Sequence, residues 1–124
     1  MEAKRSGSER PDAAALDSPL YSDFADDADM QPIISEFVDE LADRVRTLQD
    51  AADHNDLGAL QTIAHQLKGA AGGYGFGPIT DAARHLEAST AARAELTALG
   101  HQVAELVDLC RRATSAPPSR APRR

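Results

Sequence analysis

An all-α fold, a single antiparallel up-and-down four-helix bundle preceded by a short N-terminal lid, is predicted by three features of the chain. Apolar residues recur three and four positions apart in four successive stretches, the period of an amphipathic helix. Hydrophobic residues make up 42% of the sequence but aromatic ones only 4%, so the core is built from Ala, Leu, Ile and Val, a composition that favours helices over strands. A length of 124 residues supplies one core of modest size and not two.

The first stretch follows Leu20, Tyr21 and Phe24, read as the lid, and the acidic run Asp26, Asp27 and Asp29. With Asp29 as N-cap and Pro32 in the first turn, Ile34, Phe37, Leu41, Val45 and Leu48 define a helix over about 30–52. The polar cluster Asp53 to Asp56 breaks the pattern, and Asn55 or Asp56 caps the next helix. Leu57, Leu60, Ala64, Leu67, Ala71 and Tyr74 then form a heptad-like seam, ended by the glycines between 72 and 77. Pro78 restarts a helix over about 78–89 with Ile79, Ala82, Ala83 and Leu86 on its apolar face. Leu96, Leu99, Val103, Leu106 and Cys110 mark the last, over about 93–113. The bundle is expected over 18–114, between a disordered N-terminal segment, 1–17, and a disordered basic tail, 115–124.

Charge narrows the function. The net charge is −7, yet residues 11–110 hold 18 acidic and 5 basic side chains, a balance of −13. A phosphate backbone needs a basic stripe, so nucleic acid is not expected as a partner. No apolar run is long enough to cross a bilayer, and Met1 to Arg10 lacks the apolar core of a signal peptide, so a cytoplasmic protein without membrane partners is expected. The single cysteine, Cys110, closes no internal disulfide and falls on an apolar seam, as a buried, inert thiol would.

Chemistry concentrates on the second helix. At about 100° per residue, His65 lies roughly 130° from the centre of the seam and faces water. Gly69 and Gly72 follow one and two turns along the same strip. Glycine inside a helix is about 1 kcal/mol less favourable than alanine, and close approach of another molecule explains two of them beside an exposed histidine. Lys68, three positions after His65, can reach an oxyanion attached to the imidazole, and Gln61, one turn before, can hydrogen-bond the ring or its phosphate. Neutral imidazole attacks phosphorus without needing a metal.

The run His65-Gln66-Leu67-Lys68-Gly69-Ala70-Ala71-Gly72, with Gly75 after Tyr74, resembles the motif of the histidine-containing phosphotransfer (HPt) domain family, and Leu86-Glu87 on the next helix is also similar to the family pattern. The likeness spans about residues 30–112, in the form of a stand-alone single-domain member. It implies a non-catalytic phosphocarrier that relays a phosphoryl group between a sensor kinase or a receiver-domain aspartate and another receiver, in a two-component phosphorelay. It further implies that His65 is the phosphoacceptor, that Lys68 steadies the phosphoryl group and that Gly69 opens the docking surface, to which Gly72 and Gln61 are added as candidates. Response-regulator receiver domains and a (hybrid) histidine kinase are the partners implied. No cofactor of its own is expected, with Mg²⁺ held by the partner receiver. The chain departs from the pattern at Gly73, where several members carry a Ser or Asn that helps fix the end of this helix.

Other signals weigh against rival classes. His54, His85 and His101 lack partnering cysteines or a Glu-x-x-His pair, so no metal site is expected. The glycine run follows no strand and precedes no Gly-Lys-Ser/Thr, which opposes nucleotide binding. The alternative of a different class is a docking or inhibitory module that binds a receiver or kinase without carrying phosphate; such a module has no need of both His65 and Lys68. A monomer is expected, because one bundle buries all four seams.

Overall fold

A computed structural model describes residues 18–118; the expected disordered segment 1–17 and the end of the basic tail, 119–124, lie outside the described residues. Four helices carry the fold: α1 (Gln31–Asp53), α2 (Leu57–Gly73), α3 (Gly77–Ala91) and α4 (Leu96–Arg112). They form a four-helix bundle in which α1 packs on α2 and α4, and α3 packs on the same two, with α2 and α3 in the most extensive contact. The predicted seams are its core: Ile34, Leu48, Ala64, Leu67, Ala71, Ile79, Ala83, Leu86 and Leu106 have no exposed surface.

The three links between helices are short because each of the first three helices ends in the same device. Asn55, Gly75 and Arg93 adopt positive φ, at 53°, 84° and 57°. The next residue then turns its N–H back to the last helical turn: Asp56 to Ala51, Phe76 to Ala71 and Ala94 to Ser89, each at 2.9 Å. These are Schellman turns, which satisfy the free carbonyls at a helix C-terminus while reversing the chain. Asp56 then caps α2, its carboxylate accepting from the Ala59 N–H at 3.0 Å.

Several expectations are corrected in detail. Met30, not Asp29, is the N-cap of α1, since the Asp27 carboxylate takes the Asp29 N–H at 2.9 Å and holds that residue in the preceding turn. Leu96 is 57% exposed, because α4 begins only there, at the end of the bundle, where the ends of α1 and α2 cover it only in part. Phe76, in the stretch read only as a helix end, is fully buried and joins Tyr74 in stacking on Phe37, with centroids 5.9 and 4.5 Å from that ring.

The segment read as a lid is a strap. Leu20–Tyr21 (β1) pairs in parallel with Ala113–Thr114 (β2), two residues on each side, and Arg112 Nη1 donates to the Ser18 carbonyl at 3.3 Å. The strap then crosses to the end of α2. There the Asp23 N–H donates to the Gly75 carbonyl at 2.9 Å, and the Ser22 hydroxyl donates to the Tyr74 carbonyl at 2.6 Å while accepting from the Phe24 N–H at 3.0 Å. Ser22 is buried. Its hydroxyl holds the end of the helix in which Gly73 has no side chain to do so.

Candidate functional site

His65 stands on the outer face of α2 with its side chain 67% exposed, as its position on the helical wheel requires. Its Nδ1 lies 2.8 Å from Oε2 of Glu87 on α3. The other oxygen of the same carboxylate, Oε1, is 2.7 Å from Lys68 Nζ. Glu87 thus bridges the imidazole and the ammonium, one oxygen to each. The close packing of α2 on α3 makes this possible: Thr80 Oγ1 donates to the Lys68 carbonyl at 3.3 Å, and the Cβ that Gly72 lacks would stand 3.3 Å from that same hydroxyl oxygen.

The bridge favours the ionised form of Glu87 and orients the imidazole. Hydrogen bonds from Lys68 and then His65 hold the Glu87 carboxyl below its ordinary value of 4.5, against a smaller opposing effect of burial. An ionised carboxylate only accepts, so Nδ1 is the ring nitrogen that carries the hydrogen shared with it, and in the neutral tautomer Nε2 is the nitrogen with a lone pair. The arrangement presents a nucleophilic nitrogen on the side of the ring away from Glu87.

The remaining sequence-predicted residues separate by position. Gly69 has nothing within 4 Å of where a Cβ would be and is open surface one turn from His65, whereas Gly72 abuts α3. Gln61 shares a cleft of about 290 Å³ with Thr62, His65, Gln66 and Glu87, but the bond to the imidazole ring comes from Glu87. Lys68 is brought to Glu87 rather than left free. Glu87 itself carried no role in the sequence reading. The signal available was its place in the Leu86-Glu87 pair, but which turn of α3 faces His65 is set by the three-residue link and not by periodicity.

Elsewhere, His54 Nδ1 is 2.8 Å from the Asp50 carbonyl within its own helix end, and Cys110 is buried. Among the described residues no group of three or more His, Cys, Asp or Glu side chains is placed to hold a metal ion, and no helix is long and apolar enough to cross a membrane.

A family model described as Hpt domain matches residues 32–121, from the first turn of α1 through all four helices. No match was found among curated proteins or among solved structures. Hpt domains act generally in histidine phosphotransfer within phosphorelays, with receiver domains and histidine kinases, as phosphocarrier modules rather than kinases. With the match spanning most of its length and all four helices of the bundle, the chain belongs to the Hpt domain family.

Proposed function

We infer that the protein relays phosphoryl groups between a sensor kinase or receiver aspartate and another receiver, with His65 as the phosphoacceptor. The observation that carries this reading is the Glu87 bridge, which pins Nδ1 at 2.8 Å and leaves Nε2 as the nucleophile on an exposed strip. In the transfer step the Nε2 lone pair forms the N–P bond while the P–O bond to the donor aspartate breaks. That electron pair returns to the donor's carboxylate. The ring keeps its Nδ1 hydrogen and gains positive character, which the Glu87 carboxylate offsets.

Lys68 keeps Glu87 ionised and oriented, and its charge helps to balance the dianionic phosphoryl group against that carboxylate. Gly69 leaves the approach to His65 open for the receiver, which brings its own Mg²⁺. Gln61 lines the same cleft. Gly72 contributes to this surface indirectly, by letting α3 lie close enough for Glu87 to reach His65. The chain acts as a carrier without turnover of its own, in the cytoplasm and as a monomer.

The test is transfer from a receiver charged with acetyl phosphate. Acid-labile, base-stable label on the wild-type chain that is absent from His65→Gln supports the reading. Binding of charged receivers with no label transferred identifies a docking module instead.

A further inference from the structure

Helical side chains lean toward the N-terminus of their helix, so those of His65 and Gln66 overhang the turn that carries Gln61 and Thr62. Together with Glu87 these four residues line the cleft of about 290 Å³ described above. Two groups already have fixed engagements: Glu87 takes Nδ1 of the ring and Lys68 Nζ. Nε2 lies across the ring from Nδ1, and the cleft beside the ring is lined by the turn before His65, so a phosphoryl group on Nε2 extends over that turn while the Lys68 charge balances it from the Glu87 side. Its oxygens need donors there.

Two are present. Arg44 Nη1 reaches from α1 to Gln66 Oε1 at 3.3 Å, and Arg44 is itself paired with Glu40 at 3.8 Å. A guanidinium only donates, so the Gln66 oxygen is the atom turned to α1 and the amide NH₂ is left to donate elsewhere. The Thr62 hydroxyl is exposed and, among the described residues, makes no hydrogen bond, although a helical threonine can always turn back to the carbonyl four residues earlier.

We propose that Thr62 Oγ1 and Gln66 Nε2 form the phosphoryl cradle of phosphorylated His65, with Arg44 as the positioning residue that orients the Gln66 amide. This rests on His65 being the phosphoacceptor. The cradle makes and breaks no covalent bond: it donates to the phosphoryl oxygens while the N–P bond stands. Neutral donors suit a carrier, because they lengthen the life of the phosphohistidine without trapping the group as two fixed cations would. When the bond is lost to water, the oxygen of water attaches to phosphorus, the N–P electron pair returns to Nε2 and inorganic phosphate leaves.

The full-length chain is phosphorylated with potassium phosphoramidate, freed of reagent and followed by ³¹P NMR. Removing either donor, in Thr62→Val or Gln66→Leu, shortens the phosphohistidine lifetime by about threefold to tenfold. It also moves the second ionisation of the phosphoryl group to higher pH, a change that a merely structural role would not produce. Arg44→Leu reproduces part of the Gln66→Leu effect and adds nothing in the double variant. Thr62 and Gln66 are exposed and Arg44 is half-buried, and thermal melting checks that the variants fold. Wild-type lifetime and titration in both Thr62→Val and Gln66→Leu would overturn the cradle while leaving the phosphocarrier intact. A wild-type chain that takes no phosphate from phosphoramidate or from any charged receiver overturns the phosphocarrier reading, and the cradle with it.

Discussion

Ser22 and Tyr74 are 52 positions apart in sequence and joined at 2.6 Å, the hydroxyl of the strap capping the carbonyl that ends α2. The helix that carries His65 is therefore anchored by a residue that precedes the family match, which begins at residue 32. Gly75 belongs to the same joint. It has φ of 84°, and a Cβ there would lie 2.5 Å from Ser22 Oγ and 2.8 Å from the backbone nitrogen of Asp23.

Two substitutions at this joint are expected to differ in size. Ser22→Ala removes both hydrogen bonds of a buried hydroxyl and should cost about 1–2 kcal/mol. Gly75→Ala adds left-handed strain of about 1–2 kcal/mol and also displaces backbone of the strap, so the larger loss is expected. Urea unfolding of both variants checks the order, and hydrogen exchange should show the added opening at the α2 terminus and at Leu20–Tyr21.

The glycines of the exposed strip should separate stability from function. Gly69→Ala meets no atom within 4 Å and should stabilise the protein by about 1 kcal/mol through helix propensity. Gly69→Glu should leave the fold intact but block transfer from a receiver by bulk and charge. Gly72→Ala is expected to gain less than Gly69→Ala, because its Cβ would press on the Thr80 hydroxyl at 3.3 Å, which must give by a few tenths of an ångström while bonded to the Lys68 carbonyl. Melting temperature and transfer rate, measured on all three, test the distinction.

The Glu87 bridge has a defined pH window. Because the native carboxyl is held below 4.5, its contribution to stability is fully present above that value and is lost only as pH falls through the depressed native pKa. Carboxyl-detected NMR should give a midpoint below 4.5 for Glu87, returning toward 4.5 in Lys68→Met. Glu87→Gln keeps a possible bond to Nδ1 but removes the negative charge, and Lys68→Ala frees the carboxylate. Both should slow phosphoryl transfer, with Glu87→Gln also shortening the phosphohistidine lifetime.

How much of this was legible in the sequence follows from the physics of each part. Ile34, Leu41, Leu67, Leu86 and Leu106 repeat with the helical period, so the seams and the bundle are written locally. His65 and Gly69 share one strip of one helix, so their exposure follows from 100° per residue. The Glu87 contact crosses 22 positions and two helices, and its register depends on the Schellman turn at Gly75, which periodicity does not encode. Ser22 was hidden for the same reason, since its partner is a backbone carbonyl. Phe76 was missed because it falls among glycines and inside a link, where no repeat marks it as core.

Cys110 gives a test of the core independent of phosphate. Burial pushes its thiol up to about 12 from an ordinary value of 9.0. Between these values the unfolded chain releases the thiol proton while the native chain holds it, so native stability declines as pH rises through that range. At one pH unit above the ordinary value the loss from this residue alone should be about 1.4 kcal/mol. Urea unfolding at pH 7 and pH 10 should therefore show a larger decline for wild type than for Cys110→Ala, since the variant has no thiol to ionise. Alkylation by iodoacetamide at pH 8 should likewise proceed only through opened molecules and accelerate in Gly75→Ala, whose weakened strap releases β1 from Ala113, three residues beyond the cysteine. Equal declines in the two proteins, together with rapid native alkylation, would place the thiol in contact with solvent and the α4 seam out of register with the rest of the core.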